Sequence, residues 1–276
     1  MQGKVCMITG ASSGIGKATA KGLAELGAMV VIVCRNKEKG DKALKEIKSE
    51  TRNDKIDLLI ADLSSQKSIR DLASSFKARY DKLDVLINNA GVIRSKRTVT
   101  EDGIETTFAV NHLAYFLLTN LLLDKLKAGS PSRIIIVASG LERQGKINFD
   151  DLQRENGYSG FGAYNQSKLA NILFTYELAR RLKGTGISVN CLHPGFVKTN
   201  LIRERRLVTF LIQPLQMTPE KGAETSIYLA SSAEVEGVSG KYFVSKKETK
   251  SSKESYDESI SKRLWTVSAE LTKLEL

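Results

Sequence analysis

The sequence predicts one doubly wound α/β domain, with a mostly parallel, seven-stranded sheet covered by helices on both faces. Short apolar, β-branched runs alternate with longer amphipathic stretches from the first residues to about residue 245. Most of the short runs are continuously apolar, as strands buried on both faces must be. A glycine-rich turn joins the first such run to the first amphipathic stretch.

The strand candidates are residues 5–8, 29–33, 56–60, 85–87, 133–137, 188–192 and 241–244. Helix candidates lie between them at 15–26, 37–49, 64–80, 103–127, 163–183 and 219–230, each long enough to cross back over a sheet. No linker divides residues 1–245. Two segments break the rhythm, 141–162, rich in Gly and polar residues, and 200–218, where Arg203, Arg205 and Arg206 precede LVTFLIQPLQM. Both are substrate-loop candidates. In the second, Val208, Phe210, Leu211, Ile212 and Leu215 leave three readings open: an apolar pocket or lid, an amphipathic helix packed on the domain or a partner, and peripheral contact with a membrane surface. Residues 246–276 read as a polar, mobile run followed by a tail helix packed on the domain through Ile260, Leu264, Val267 and Leu271.

At 276 residues, 41% apolar and 26% charged, the chain has the composition of an ordinary globular protein. The formal charge of +11 comes from scattered Lys and Arg, without basic blocks or interleaved aromatics, so nucleic acid is not an expected partner. With two histidines and no Cys-x-x-Cys, a protein-built zinc site is not expected either. Cys6, Cys34 and Cys191 stand apart in apolar runs. The amino terminus lacks a secretory pattern, and no apolar run approaches the roughly 20 residues of a membrane helix. The expected location is cytoplasmic.

The first strand runs into TGASSGIG, with Gly10, Gly14 and Gly16 before a helical stretch. Glycines let the backbone turn tightly against a pyrophosphate, and free N–H groups at a helix start meet its charge. A Walker loop fails here, because Ala11 replaces its first glycine and Ala18 its magnesium-binding hydroxyl. The second strand ends in Cys34, Arg35 and Asn36, without the acid that binds both ribose hydroxyls of NAD. Arg35 suits a 2′-phosphate, with a hydroxyl contact available from Ser12 or Ser13, so NADP(H) is the expected cofactor.

Tyr164 and Lys168 stand at i and i+4 on one helix face. A neighbouring ammonium stabilises a phenolate, so Tyr164 can exchange a proton with an alcohol or carbonyl while hydride moves. Ser139 closes the strand IIIVAS at the sheet's carboxyl edge, where it can hold the substrate oxygen. His112 and His193 read as structural.

The spacing T-G-x-x-x-G-x-G resembles that of the short-chain dehydrogenases/reductases, and the resemblance extends over about residues 1–245. It implies a Rossmann domain, with Asp62 and Leu63 at the adenine. It places Asn89, Ala90 and Gly91 of NNAG, and Ile15 of the glycine turn, at the cofactor. Pro194, Gly195, Val197 and Thr199 of HPGFVKT would stand near the nicotinamide. Asn111, in FAVNHLAYF, would hold a water on the proton path to Lys168 and complete a tetrad with Ser139, Tyr164 and Lys168. The separation of 25 positions from Ser139 to Tyr164 exceeds the spacing of most members. With YNQSKLANILFTYELARRLKGTG, that spacing resembles the retinol dehydrogenase-like branch. The implied activity is interconversion of an apolar alcohol and carbonyl, with reduction of an activated C=C bond and a non-catalytic nucleotide-sensing scaffold as alternatives. The family's habit of pairing through long helices makes a homo-oligomer an expectation.

Overall fold

The computed structural model describes residues 1–197 and 217–275. Its strands are β1 (Val5–Thr9), β2 (Met29–Cys34), β3 (Ile56–Ile60), β4 (Val85–Asn88), β5 (Ser132–Val137), β6 (Ile187–His193), β7 (Lys241–Val244) and β8 (Lys247–Glu248). They form one sheet in the order β3-β2-β1-β4-β5-β6-β7-β8, parallel except for the last pair. The order reverses between β1 and β4, which opens a crevice beyond their carboxyl ends.

Strand alternation divides the core between two faces. Met7, Val31, Leu86, Ile134 and Ile136 pack on one side, while Cys6, Ile8, Ile32, Ile87 and Ile135 pack on the other. Both faces are therefore dry, which is why the strands carry no polar alternation. The covering helices are α1 (Gly14–Glu25), α2 (Lys37–Thr51), α3 (Gln66–Arg79), α4 (Thr106–Phe108), α5 (Ala114–Leu121), α6 (Leu123–Ala128), α7 (Gly160–Arg181), α8 (Pro219–Ser231) and α9 (Glu258–Thr272). No helix among the described residues is long and apolar enough to cross a membrane.

Three expectations need correction. The sheet has eight strands, not seven: Ser245 and Lys246 take positive φ (49° and 66°) and turn the chain into the polar pair Lys247–Glu248, which carries no apolar signal. The run after Val244 is tied into the fold through Ser251, which is buried. Tyr176 and Ser251 share a hydrogen bond of 2.7 Å, and Ser251 meets Ser255 at 2.6 Å. The expected 103–127 helix is broken. Glu105 starts it late by accepting from the Thr107 and Phe108 amides, Ala109–Leu113 forms a π turn, and Leu122 interrupts it again. The tail helix α9 is present as expected, with Leu264, Trp265 and Ala269 buried.

Candidate active site

The glycine turn departs from β1 beside the end of β4. Gly10 has a φ of 68° and lies so close to Ala90 that a Cβ would sit 2.8 Å from its Cα. Asn89 ties the two strand ends together, its Nδ2 donating to the Thr9 carbonyl at 2.8 Å while Thr9 Oγ1 accepts from the Asn89 and Ala90 amides. Gly16 is equally constrained, since a side chain there would strike Asn89 and the Gly10 carbonyl.

Whether this turn fits a phosphate can be read from its capping. α2, α3, α7, α8 and α9 each begin with a side chain that accepts from their first turn. α1 does not: Ser13 makes no capping bond, and no acidic residue stands in the first turn. Gly14, at φ 58°, leaves open space where a Cβ would be. Free amides, a positive helix end and an open approach suit an anion.

Arg35 follows β2 and is 64% exposed; its Nη1 lies 3.7 Å from Asp62 Oδ2. Asp62 is held in turn by Ser64, whose amide and hydroxyl donate to Oδ1 at 2.9 and 2.7 Å. Leu63 beside it is buried. Ser12 is half-buried and Ser13 exposed at the turn. Ile15 and Val197 meet over Gly222 on α8, so the residue after the glycines and the one after Pro194-Gly195 share one packing site. Gly195, at φ 87°, lies against Met217, whose amide donates to the Phe196 carbonyl at 2.8 Å. Thr199, with the rest of residues 198–216, lies outside the described residues.

The separation of 25 positions does not keep Ser139 from Tyr164. Ser139 caps the short 3-10 turn Gly140–Gln144, accepting from the Leu141 amide, and its hydroxyl also hydrogen-bonds the Tyr164 phenol. The inserted chain leaves through that turn and returns to start α7 at Ser159, whose side chain accepts from the Gly162 amide. Gly160 packs on the Arg94 backbone, and Tyr158 donates to the Arg94 carbonyl, which fastens the returning strand of the insertion to the segment after NNAG.

Tyr164 and Lys168 are buried, with Lys168 Nζ 5.4 Å from the Tyr164 ring centre. Here the electrostatics differ from the expectation. Burial pushes the phenol up to about 12, against the pull of the Ser139 hydrogen bond, and burial draws Lys168 down to about 7. The reason is geometric: Nζ donates to the Val137 carbonyl at 2.9 Å, on the end of β5, instead of meeting the phenol oxygen. In this arrangement burial favours the neutral phenol.

Asn111 lies in the π turn, and both N–H groups of its amide are engaged. Oδ1 accepts from the Val92 amide at 2.8 Å, and Nδ2 donates to the Val92 carbonyl and to Ser167 Oγ, both at 3.0 Å. Its side chain therefore braces the segment after NNAG, and Oδ1 keeps a second lone pair beside the bond from Val92. Tyr115, four residues on, was not singled out by sequence; its hydroxyl donates to the Ala90 carbonyl at 2.6 Å, and its ring lies under Lys168. Glu142, in the turn capped by Ser139, was not singled out by sequence either, and it is completely buried. Burial holds His112 near a pKa of about 4. His193 packs against Gly140 and Phe196. Among the described residues there is no group of three metal-ligating side chains.

A glycine turn open to phosphate, at the reversal point of a parallel sheet and beside a buried Ser-Tyr-Lys cluster, defines a nucleotide-dependent oxidoreductase. Residues 4–207 match the short chain dehydrogenase family model, and the chain belongs to that family. Within it the chain stands on the retinol dehydrogenase-like branch. It is 47% identical to human retinol dehydrogenase 14, over 97% of this chain and 86% of that one, and 46% identical to human retinol dehydrogenase 12, over 98% and 87%. A solved protein from Mycobacterium paratuberculosis superposes with a TM-score of 0.82 at 32% identity, covering 99% of this chain and 95% of that one. An Escherichia coli short chain dehydrogenase complexed with NADPH gives 0.72 at 26% identity, covering 90% and 98%.

Proposed function

We propose that this protein uses NADP(H) to interconvert an apolar alcohol and its aldehyde or ketone, reduction being the favoured direction. The observation that carries the chemistry is the convergence of Ser139, Tyr164 and Lys168 at the carboxyl end of β5. The cofactor, when bound, supplies or accepts the hydride. Everything else falls to the chain's own groups. The Ser139 hydroxyl holds the substrate oxygen, and Tyr164, kept as a neutral phenol by its burial, gives that oxygen its proton. Lys168, drawn toward neutrality by the same burial, can exchange protons near pH 7. Asn111 supports the site by fixing Val92.

The choice of NADP(H) is supported by Arg35 and by the absence of a carboxylate at the end of β2. It is also in keeping with the NADPH held by the E. coli relative in structure. Apolar substrate chemistry is supported by the names of the sequence relatives and by exposed Phe161 and Phe196 beside Tyr164 and Pro194-Gly195. A cytoplasmic setting belongs to the same proposal, as do a homo-oligomer and peripheral membrane contact through residues 200–218.

A panel of aldehydes and ketones that includes retinal, followed by oxidation of NADPH with NADH as control, tests this reading. The expected result is alcohol formation with a strong NADPH preference. Equal use of NADH would overturn the cofactor assignment, and a product saturated at a C=C bond would overturn the carbonyl assignment.

A further inference from the structure

The C-terminal segment reaches two of the elements that shape the site from behind. The first contact is at Glu142, in the 3-10 turn capped by Ser139. Its side chain is completely buried, and its Oε1 accepts from the Ser252 amide at 3.0 Å. The nearest cation, Arg143, lies 4.0 Å away and is half exposed, while Oε2 has no hydrogen-bond partner among the described residues. A carboxylate buried this way costs stability, so stability does not account for it. What the contact does is fasten a short 3-10 turn, a conformation with poor hydrogen-bond geometry of its own, to residues 247–256.

The second contact is at His112, in the π turn beside Asn111. Its Nε2 and Ser268 Oγ on α9 are 2.9 Å apart. Its ring is packed between Phe108 and Phe174, at 5.1 and 6.1 Å between centres. Trp265, one turn earlier on α9, adds contacts to Phe116 and Phe174. A π turn is the least regular helical segment and needs outside support.

We propose that residues 247–272 form a positioning clamp for catalysis, setting Ser139 through Glu142 and Asn111 through His112. Glu142 and His112 are positioning residues; neither touches the reacting atoms. The proposal rests on the reading of Ser139 and Asn111 given above. A loosened clamp leaves the fold and the cofactor turn in place but lets the carbonyl-holding hydroxyl and the Val92 brace drift, which slows hydride transfer.

The test compares wild type with Glu142→Ala, Glu142→Gln and Ser268→Ala. It reads kcat and its deuterium isotope effect with 4-deuterated NADPH and nonanal, the Kd of NADPH, and Tm. For Glu142→Ala, kcat should fall about tenfold or more, with a larger isotope effect and an unchanged Kd for NADPH. Glu142→Gln should restore kcat, because its amide oxygen still accepts from Ser252; Ser268→Ala should show the smaller loss. A lowered Tm with kcat and isotope effect unchanged, or a Gln variant as slow as the Ala variant, overturns the clamp. If Glu142→Ala does not fold, Ser252→Pro removes the donor N–H together with the hydroxyl beside Glu142, at a φ of −63° that proline accepts. Wild type without turnover on any carbonyl would defeat the functional reading instead. Hydrogen exchange in Ser252→Pro then judges the clamp alone: faster exchange at residues 140–144 supports it, and unchanged exchange there overturns it.

Discussion

The two ends of the site are built on opposite principles. Tyr164 and Lys168 are buried, and both carry pKa values moved by burial. Arg35 and Asp62, beyond the ends of β2 and β3, are 64% and 39% exposed and meet only at 3.7 Å. The buried pair is fixed in position and costs stability, since an ammonium in a dry interior forgoes its hydration. The exposed pair costs almost nothing and contributes little to folding. Chemistry is thus placed where geometry is rigid, and cofactor choice where a side chain can change without disturbing the core.

The largest effect that could break this contrast is at Lys168. Because its folded pKa lies near 7, well below its unfolded value of 10.5, the unfolded chain binds the extra proton between these limits. This lysine's contribution to stability therefore rises from pH 7 toward 10, and its burial cost is greatest below pH 7. Lys168→Met should lose about 100-fold or more in kcat. Its Tm advantage over wild type should be largest near pH 6 and shrink by pH 9. Thermal melts across that range check the sign, and a pH-independent difference would mean that Lys168 is not desolvated.

At the exposed end the expected effect is smaller and of another kind. Arg35→Ala should raise KM for NADPH by about 10- to 100-fold, the worth of a charge-assisted phosphate contact, with kcat and Tm nearly unchanged. Steady-state kinetics with both nucleotides decide it; a matching rise in KM for NADH would show that Arg35 does not read the 2′-phosphate. The smallest effect belongs to a control remote from both ends. Ser245→Asn with Lys246→Gly suits the two positive φ values of the β7–β8 turn and should raise stability by up to about 1 kcal/mol in urea unfolding, with kcat unaltered.

The buried end was largely legible in the sequence, because periodicity marks dry strands and the Tyr164/Lys168 spacing survives any loop variation. So was the glycine turn. What escaped was whatever depends on contacts between distant segments. The run FAVNHLAYFLLTNLLL has no Gly or Pro and reads as one helix, yet it passes through a π turn at Ala109–Leu113, where His112 packs on α9. β8 is two charged residues with no apolar signal. The grip on Glu142 comes from the backbone of Ser252, which no residue type reveals. The depth of burial at Tyr164 and Lys168, which moves both pKa values, is not visible in their spacing.

The most direct measurement is the turnover of Tyr164→Phe with NADPH and retinal, alongside its NADPH affinity. Losing only the phenol hydroxyl removes the proton donor and leaves the apolar ring in place. The account predicts that kcat falls at least about 100-fold while the Kd for NADPH stays within about twofold of wild type. Turnover at the wild-type rate would contradict it.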